Sequence, residues 1–91
     1  MHWKLFADLA EIAGTDEITV EAGVDEPTIQ DALDALVESH PDLEPRVYTD
    51  DGVLEPHLNL LQNGEAVGDR GLSTPVDDTD ELALFPPVSG G

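Results

Sequence analysis

Two glycines, Gly90 and Gly91, close the 91-residue chain directly after an apolar, proline-rich run, Leu84-Phe85-Pro86-Pro87-Val88-Ser89. Lacking a Cβ, each glycine reaches backbone conformations closed to other residues and lets the chain run close against another surface, such as the wall of a narrow active site. Gly91 ends in a carboxylate, a poor electrophile until something activates it, and no side chain obstructs the approach to its carbonyl carbon. The expectation is that this carboxylate is the functional group and that Gly90 gives the clearance for threading. Pro86 and Pro87 favour extended polyproline backbone and are expected to project the last residues away from the fold. The competing reading is an incidental end, a frayed terminus or linker scar on an acidic module that binds partners without covalent chemistry.

Other side-chain chemistry is sparse. With no cysteine, the chain has no disulfide, no thiolate ligand and no thiol nucleophile, so any sulfur chemistry must be supplied by a partner. His2, His40 and His57 lack metal-ligand spacing, and neither Asp50-Asp51-Gly52 nor Asp77-Asp78-Thr79-Asp80 completes a calcium loop, so no metal is expected. Gly64, Gly68 and Gly71 form no phosphate-binding fingerprint, and no serine, histidine and acid fall at a recognisable spacing. The chain is therefore not expected to be an enzyme, nor to bind a cofactor of its own. Lys4 is the only lysine, hence the only side-chain amine that could accept a second copy; its plainer reading is a solvated strand residue.

Composition limits the partners. Asp and Glu number 21 against 3 Lys and Arg, a net charge of −18 spread along the whole chain. With only Lys4, Arg46 and Arg70 to neutralise phosphates, direct binding to nucleic acid is disfavoured. Like charges at this density strain a compact state in dilute buffer, whereas in about 1 M salt the Debye length falls to roughly 3 Å and most of the repulsion is screened. Adaptation to a salty cytoplasm is the expected reason for the charge, with an acidic mimic of nucleic acid as the alternative. No apolar stretch is long enough for a membrane span and no secretory leader is apparent, so a cytoplasmic location is expected.

The elements that must carry the C-terminal end are legible from periodicity. Trp3-Lys4-Leu5-Phe6-Ala7 alternates as a first strand, with Trp3 and Leu5 inward and Phe6 outward. Leu9, Ile12 and Ala13 then take helical spacing for one or two turns, closed by Gly14. A second strand is predicted over Glu17–Glu21. Thr28 caps the strongest helix, with Asp31 as the capping-box acid, and Ile29, Ala32, Leu33, Leu36 and Val37 form one apolar stripe that ends before Pro41. Residues 42 to 56 are expected to be irregular, with at most one short helical turn. His57–Gln62 reads as a strand entering an Asn63-Gly64 hairpin turn, with a short return near Ala66-Val67. Gly68 to Asp80 is loop-like, and Glu81–Phe85 is a last strand with Leu82 and Leu84 inward. The order predicts an α+β fold, one domain over residues 1–85 with a mixed sheet packed on one main helix, and a tail over residues 86–91.

The ending Leu84-Phe85-Pro86-Pro87-Val88-Ser89-Gly90-Gly91 resembles that of the ubiquitin-like sulfur carriers related to the small subunit of molybdopterin synthase. Trp3-Lys4-Leu5-Phe6-Ala7, with Leu9, Glu11 and Gly14, and the helix start Thr28-Ile29-Gln30-Asp31-Ala32-Leu33 resemble the same family. With the acidic composition added, the chain is similar to the small archaeal modifier proteins of halophiles. The resemblance implies a ubiquitin-like β-grasp fold and an E1-like enzyme that uses ATP to adenylate Gly91. The activated end would pass to a sulfur donor, giving a thiocarboxylate for molybdopterin synthesis or tRNA thiolation, or to target lysines as an isopeptide. It also implies a place beside the large subunit of molybdopterin synthase. If the first and last strands are neighbours, as the family fold requires, Phe6 and Phe85, joined by Leu61, lie on one outward face and are candidate partner contacts; the alternative is that these rings cover the sheet edge or the helix.

Overall fold

In the computed structural model, which describes residues 1–86 and leaves the Asp69 side chain out, the alternation at the N-terminus becomes strand β1, His2–Leu5. Trp3 and Leu5 are buried in the core as expected. The strand stops two residues earlier than the alternation suggests, because Ala7 turns the chain at a positive φ of 55°. Helix α1, Asp8–Ala13, follows and ends on Gly14, whose left-handed φ of 79° is the conformation expected there. Strand β2, Glu17–Thr19, is shorter than predicted. Val20 stays buried through a backbone hydrogen bond to Met1 O at 3.0 Å, but lies outside the strand.

Helix α2, Ile29–Ser39, is the main helix, and every residue of its predicted stripe is buried. Its capping box forms in full: Thr28 Oγ1 accepts from the Asp31 N–H at 3.4 Å, and Asp31 Oδ2 accepts from the Thr28 N–H at 2.9 Å. The next N–H groups, on Ile29 and Gln30, donate to the carbonyls of Thr74 and Leu72 at 3.0 and 2.9 Å. The long acidic loop is thus tied down by the unsatisfied donors of a helix start, a constraint that composition does not reveal.

The segment predicted as irregular is more ordered than its prolines suggest. Pro41–Leu43 forms a 3₁₀ turn and Glu44–Val47 a short helix, α3, with Leu43 and Val47 fully buried. Pro41 and Pro45 sit near the starts of these turns, where a missing N–H costs nothing, so they initiate helix rather than forbid it. Strands β3, Asn59–Gln62, and β4, Glu65–Ala66, are joined by Asn63 and Gly64 at φ 52° and 84°, the doubly positive geometry of a two-residue hairpin turn. Strand β5 spans Glu81–Phe85, with Leu82 and Leu84 fully buried.

The five strands lie in the order β2-β1-β5-β3-β4, with β1 and β5 parallel and the other neighbours antiparallel. One face packs on α2, and Trp3 fastens the layers by donating from Nε1 to the carbonyl of Ala32 at 3.1 Å. This mixed sheet on one main helix is the ubiquitin-like β-grasp architecture. Among the described residues, no helix is long and apolar enough to cross a membrane.

Candidate functional site

Strand β5 delivers the chain end. It lies in the middle of the sheet, with Leu82, Ala83 and Leu84 opposite Trp3, Lys4 and Leu5 on one side and Gln62, Leu61 and Leu60 on the other. Both edges of the strand are therefore hydrogen-bonded up to its last residues. Phe85 ends the strand and Pro86, which has no N–H to continue a ladder, follows it. Pro86 is half-buried and borders a hollow of about 200 Å³ with Leu9, Arg46, His57 and Leu58. Pro87, Gly90 and Gly91, the other residues assigned to tail projection, threading and acyl donation, lie outside the described residues.

The outward face of the sheet gathers the predicted contact residues. Because Leu82 and Leu84 point inward, Ala83 and Phe85 point out, and the cross-strand register places Lys4, Ala83, Leu61 and Ala66 in one row. In the next row the rings of Phe6 and Phe85 stack with centroids 4.2 Å apart and planes 15° apart. Phe6 is 39% exposed, high for a phenylalanine, while Leu61 and Phe85 are half-buried. The expected sharing of one face by these three side chains is what the register and the stacked rings give.

The turn that presents Phe6 is strained. The Leu9 N–H donates to Phe6 O at 3.2 Å, closing a turn whose first central residue is Ala7 at φ 55°, ψ −132°. That is the conformation of a type II′ turn, normally occupied by glycine, and a side chain there costs on the order of 1–3 kcal/mol. Alternation read Ala7 as strand, and only its backbone geometry exposes the turn.

Two basic residues make ion pairs on β1 and α3. Lys4 Nζ lies 3.5 Å from Glu81 Oε1 across the β1–β5 ladder. Arg46 reaches from α3 to pair with Asp8, two residues beyond Phe6. Elsewhere, a groove of about 520 Å³ between α2 and α3 is lined by Gln30, Asp34, Glu44, Tyr48 and Asp50. Its Tyr48 hydroxyl donates to Asp34 Oδ1 at 2.7 Å and accepts from Gln30 Nε2 at 2.8 Å. Burial, followed by the bond to and charge of Asp34, pushes the phenol well above its ordinary pKa and keeps it protonated. Among the described residues no cluster of His, Asp and Glu is arranged to hold a metal ion.

A β-grasp domain whose central C-terminal strand leads directly to a Gly-Gly end has the build of a ubiquitin-like carrier. Its sequence matches the ThiS family model over residues 3–91, and the chain belongs to that family. It is 57% identical over 91 residues to small archaeal modifier protein 1 of Haloferax volcanii, with the whole of both chains covered. The crystal structure of that protein superimposes with a TM-score of 0.90 over 100% of this chain and 98% of the other, at 58% identity. The molybdopterin synthase sulfur carrier subunit of Dictyostelium discoideum is 32% identical, covering 96% of this chain and 91% of the relative.

Proposed function

We propose that this chain is a ubiquitin-like protein modifier and sulfur carrier whose Gly91 carboxylate is adenylated by an E1-like enzyme. The carboxylate oxygen attacks the α-phosphorus of ATP and expels pyrophosphate, and the resulting acyl-AMP loses AMP to the next nucleophile. A sulfur donor yields a thiocarboxylate; a target lysine yields an isopeptide. Membership of a family that includes both a named modifier and a named sulfur carrier subunit supports the two fates. The observation that carries the reading is the central position of β5: a tail that must enter a partner's active site leaves from a strand braced on both sides.

Phe6, Phe85 and Leu61 form the docking surface beside that exit. The large subunit of molybdopterin synthase is a further partner of the thiocarboxylated form, and the setting is the cytoplasm of a halophilic archaeon. Lys4, half-exposed on the same face, is the side-chain amine that can accept another copy. ATP is consumed by the activating enzyme and is not a resident cofactor of this domain.

Deleting Gly90 and Gly91 tests the proposal. Denaturing recovery from cells, with mass spectrometry of the free C-terminus and of adducted lysines, is expected to find thiocarboxylate and isopeptide forms of the full chain and neither for the deletion. A non-covalent acidic module would keep its binding after the deletion. Absence of both forms from the full chain, under growth that requires both pathways, would sink the carrier reading.

A further inference from the structure

The turn between β3 and β4 carries a reactive pair that the carrier chemistry does not use. Asn63 is followed by Gly64, whereas the only other asparagine of the chain, Asn59, is followed by the bulky Leu60. An asparagine side-chain amide can be attacked by the backbone nitrogen of the next residue, and glycine, having no Cβ, obstructs that approach least. Asparagine is for this reason one of the thermolabile residue types. In the fold, Asn63 is pinned to the start of β5 at three of its atoms. Its backbone N–H donates to Glu81 O at 2.7 Å, its Oδ1 accepts from the Glu81 N–H at 3.0 Å, and its Nδ2 donates to Asp80 Oδ1 at 3.0 Å.

We propose that Asn63 is a latent deamidation site, held shut by these hydrogen bonds and opened when the β3–β4 hairpin parts from β5. In the reaction the Gly64 nitrogen gives up its proton and bonds to Asn63 Cγ. The Cγ–Nδ2 bond breaks, and Nδ2 gains a proton and leaves as ammonia, closing a five-membered succinimide. Water then adds to either ring carbonyl, and the C–N bond of that carbonyl breaks to leave an aspartate or an isoaspartate. Nothing is oxidised or reduced, and water is the co-reactant. Cyclisation needs the side-chain amide turned towards its own main chain, whereas the fold holds both its oxygen and its nitrogen on the segment Asp80-Glu81. Both bonds must be released before Cγ can meet the Gly64 nitrogen.

The product does not fit back into the fold. An ionised carboxylate at position 63 is an acceptor only, and Asp80 Oδ1 stands 3.0 Å from the nitrogen that is lost, so two like charges face each other where a hydrogen bond stood. The isoaspartate form also adds a carbon to the main chain inside the two-residue turn that sets the pairing of Gln62 with Glu65. Dilute salt, which leaves the self-repulsion of a chain of net charge −18 unscreened, favours the opening that starts the reaction. A passing loss of salt would thereby leave a covalent mark on the hairpin.

The test is peptide mass mapping of the full chain after incubation in mildly alkaline buffer, in molar potassium chloride, in dilute salt, and unfolded in guanidinium chloride. Deamidation of Asn63 is expected to run at least about tenfold slower in molar salt than in the unfolded chain, with dilute salt between the two. In molar salt, Asp80→Ala is expected to speed it about fivefold or more, whereas Thr28→Ala, which weakens the α2 cap and leaves the Asn63 bonds in place, stays within about twofold of the parent. Equal rates in the folded and unfolded chains, or Thr28→Ala matching Asp80→Ala, would overturn the proposal. A faster reaction in the folded chain would overturn it too, by showing that Asp80 and the Glu81 N–H promote the attack. Should Asp80→Ala fail to fold, the parent in molar salt against the unfolded parent decides. Mass is the readout because Asp51-Gly52 can form isoaspartate through the same ring with no change of mass. An Asn63→Asp chain is expected to melt below the parent, and one that melts with it would remove the consequence for the fold.

Discussion

The rings of Phe6 and Phe85 stack at 4.2 Å although 79 residues separate them in sequence, and they meet because β1 and β5 run parallel side by side. Phe6 leaves β1 and Phe85 ends β5, so the pair lies at the point where the chain passes out of the sheet. A stacked pair contributes about 0.5–1.5 kcal/mol beyond its buried area. Phe6→Ala is therefore expected to cost about 1 kcal/mol of stability, leave the far-ultraviolet circular dichroism unchanged and weaken activating-enzyme binding at least tenfold. An unfolded Phe6→Ala chain would place the ring in the core instead.

Ala7 gives a prediction of opposite sign. Its φ of 55° suits glycine, and the N–H that closes the turn belongs to Leu9, so nothing is lost by removing the methyl group. Ala7→Gly is expected to raise stability by about 1 kcal/mol, the relieved strain outweighing the added freedom of the unfolded chain. Thermal melting checks this, and a lowered midpoint would show that the turn carries no strain.

Asp80 ties the hairpin to the last loop. Its carboxylate accepts from Asn63 Nδ2 and Gln62 Nε2, each at 3.0 Å, and from the Asp77 N–H at 2.9 Å. Foremost the Asn63 bond, then the Asp77 N–H, hold its pKa below the ordinary value. Because the folded pKa is the lower, the contribution to stability is complete above the unfolded value of about 3.9 and fades as pH falls through the folded one. Asp80→Asn is expected to destabilise by about 1 kcal/mol at pH 7, with the difference from the parent closing below about pH 4. Urea unfolding at pH 7 and pH 3 measures both; a gap that stays constant would remove the ionised carboxylate from the explanation.

The charge excess makes stability depend on salt. With only two Lys or Arg ion pairs among the described residues, most carboxylates have no basic partner. Raising potassium chloride from about 0.1 M to 2 M, which shortens the Debye length from roughly 10 Å to below 3 Å, is expected to raise the melting point by 10 °C or more. A melting point insensitive to salt would remove the halophilic explanation of the charge.

How much of this could be read in advance differs from element to element. Helix α2 was legible in full, because its cap, its stripe and its terminating proline are all local signals. So were β5 and the Asn63-Gly64 turn. The segment around Leu43 and Val47 was not: its acidic, proline-bearing composition reads as loop, and only packing beneath α1 and α2 makes a helix of it. Proline at the first turn of Glu44–Val47 was the available signal. For the candidate site, the face shared by Phe6, Leu61 and Phe85 followed from alternation plus family likeness, whereas the Asp8–Arg46 pair joins residues 38 apart that no spacing rule connects.

By itself, the sequence determined the chemistry: no thiol, one lysine, and a Gly-Gly end after two prolines, since residue types and their order in the chain are enough to settle which groups are present. It also determined which side of each strand and helix is apolar, because those periodicities are properties of a local backbone. Only the tertiary structure decided that β5 lies centrally, that Phe6 meets Phe85, and that Arg46 pairs with Asp8. Those relationships depend on strand order and on packing between distant segments, where the free energy comes from burying surfaces against each other and leaves no periodic trace along the chain.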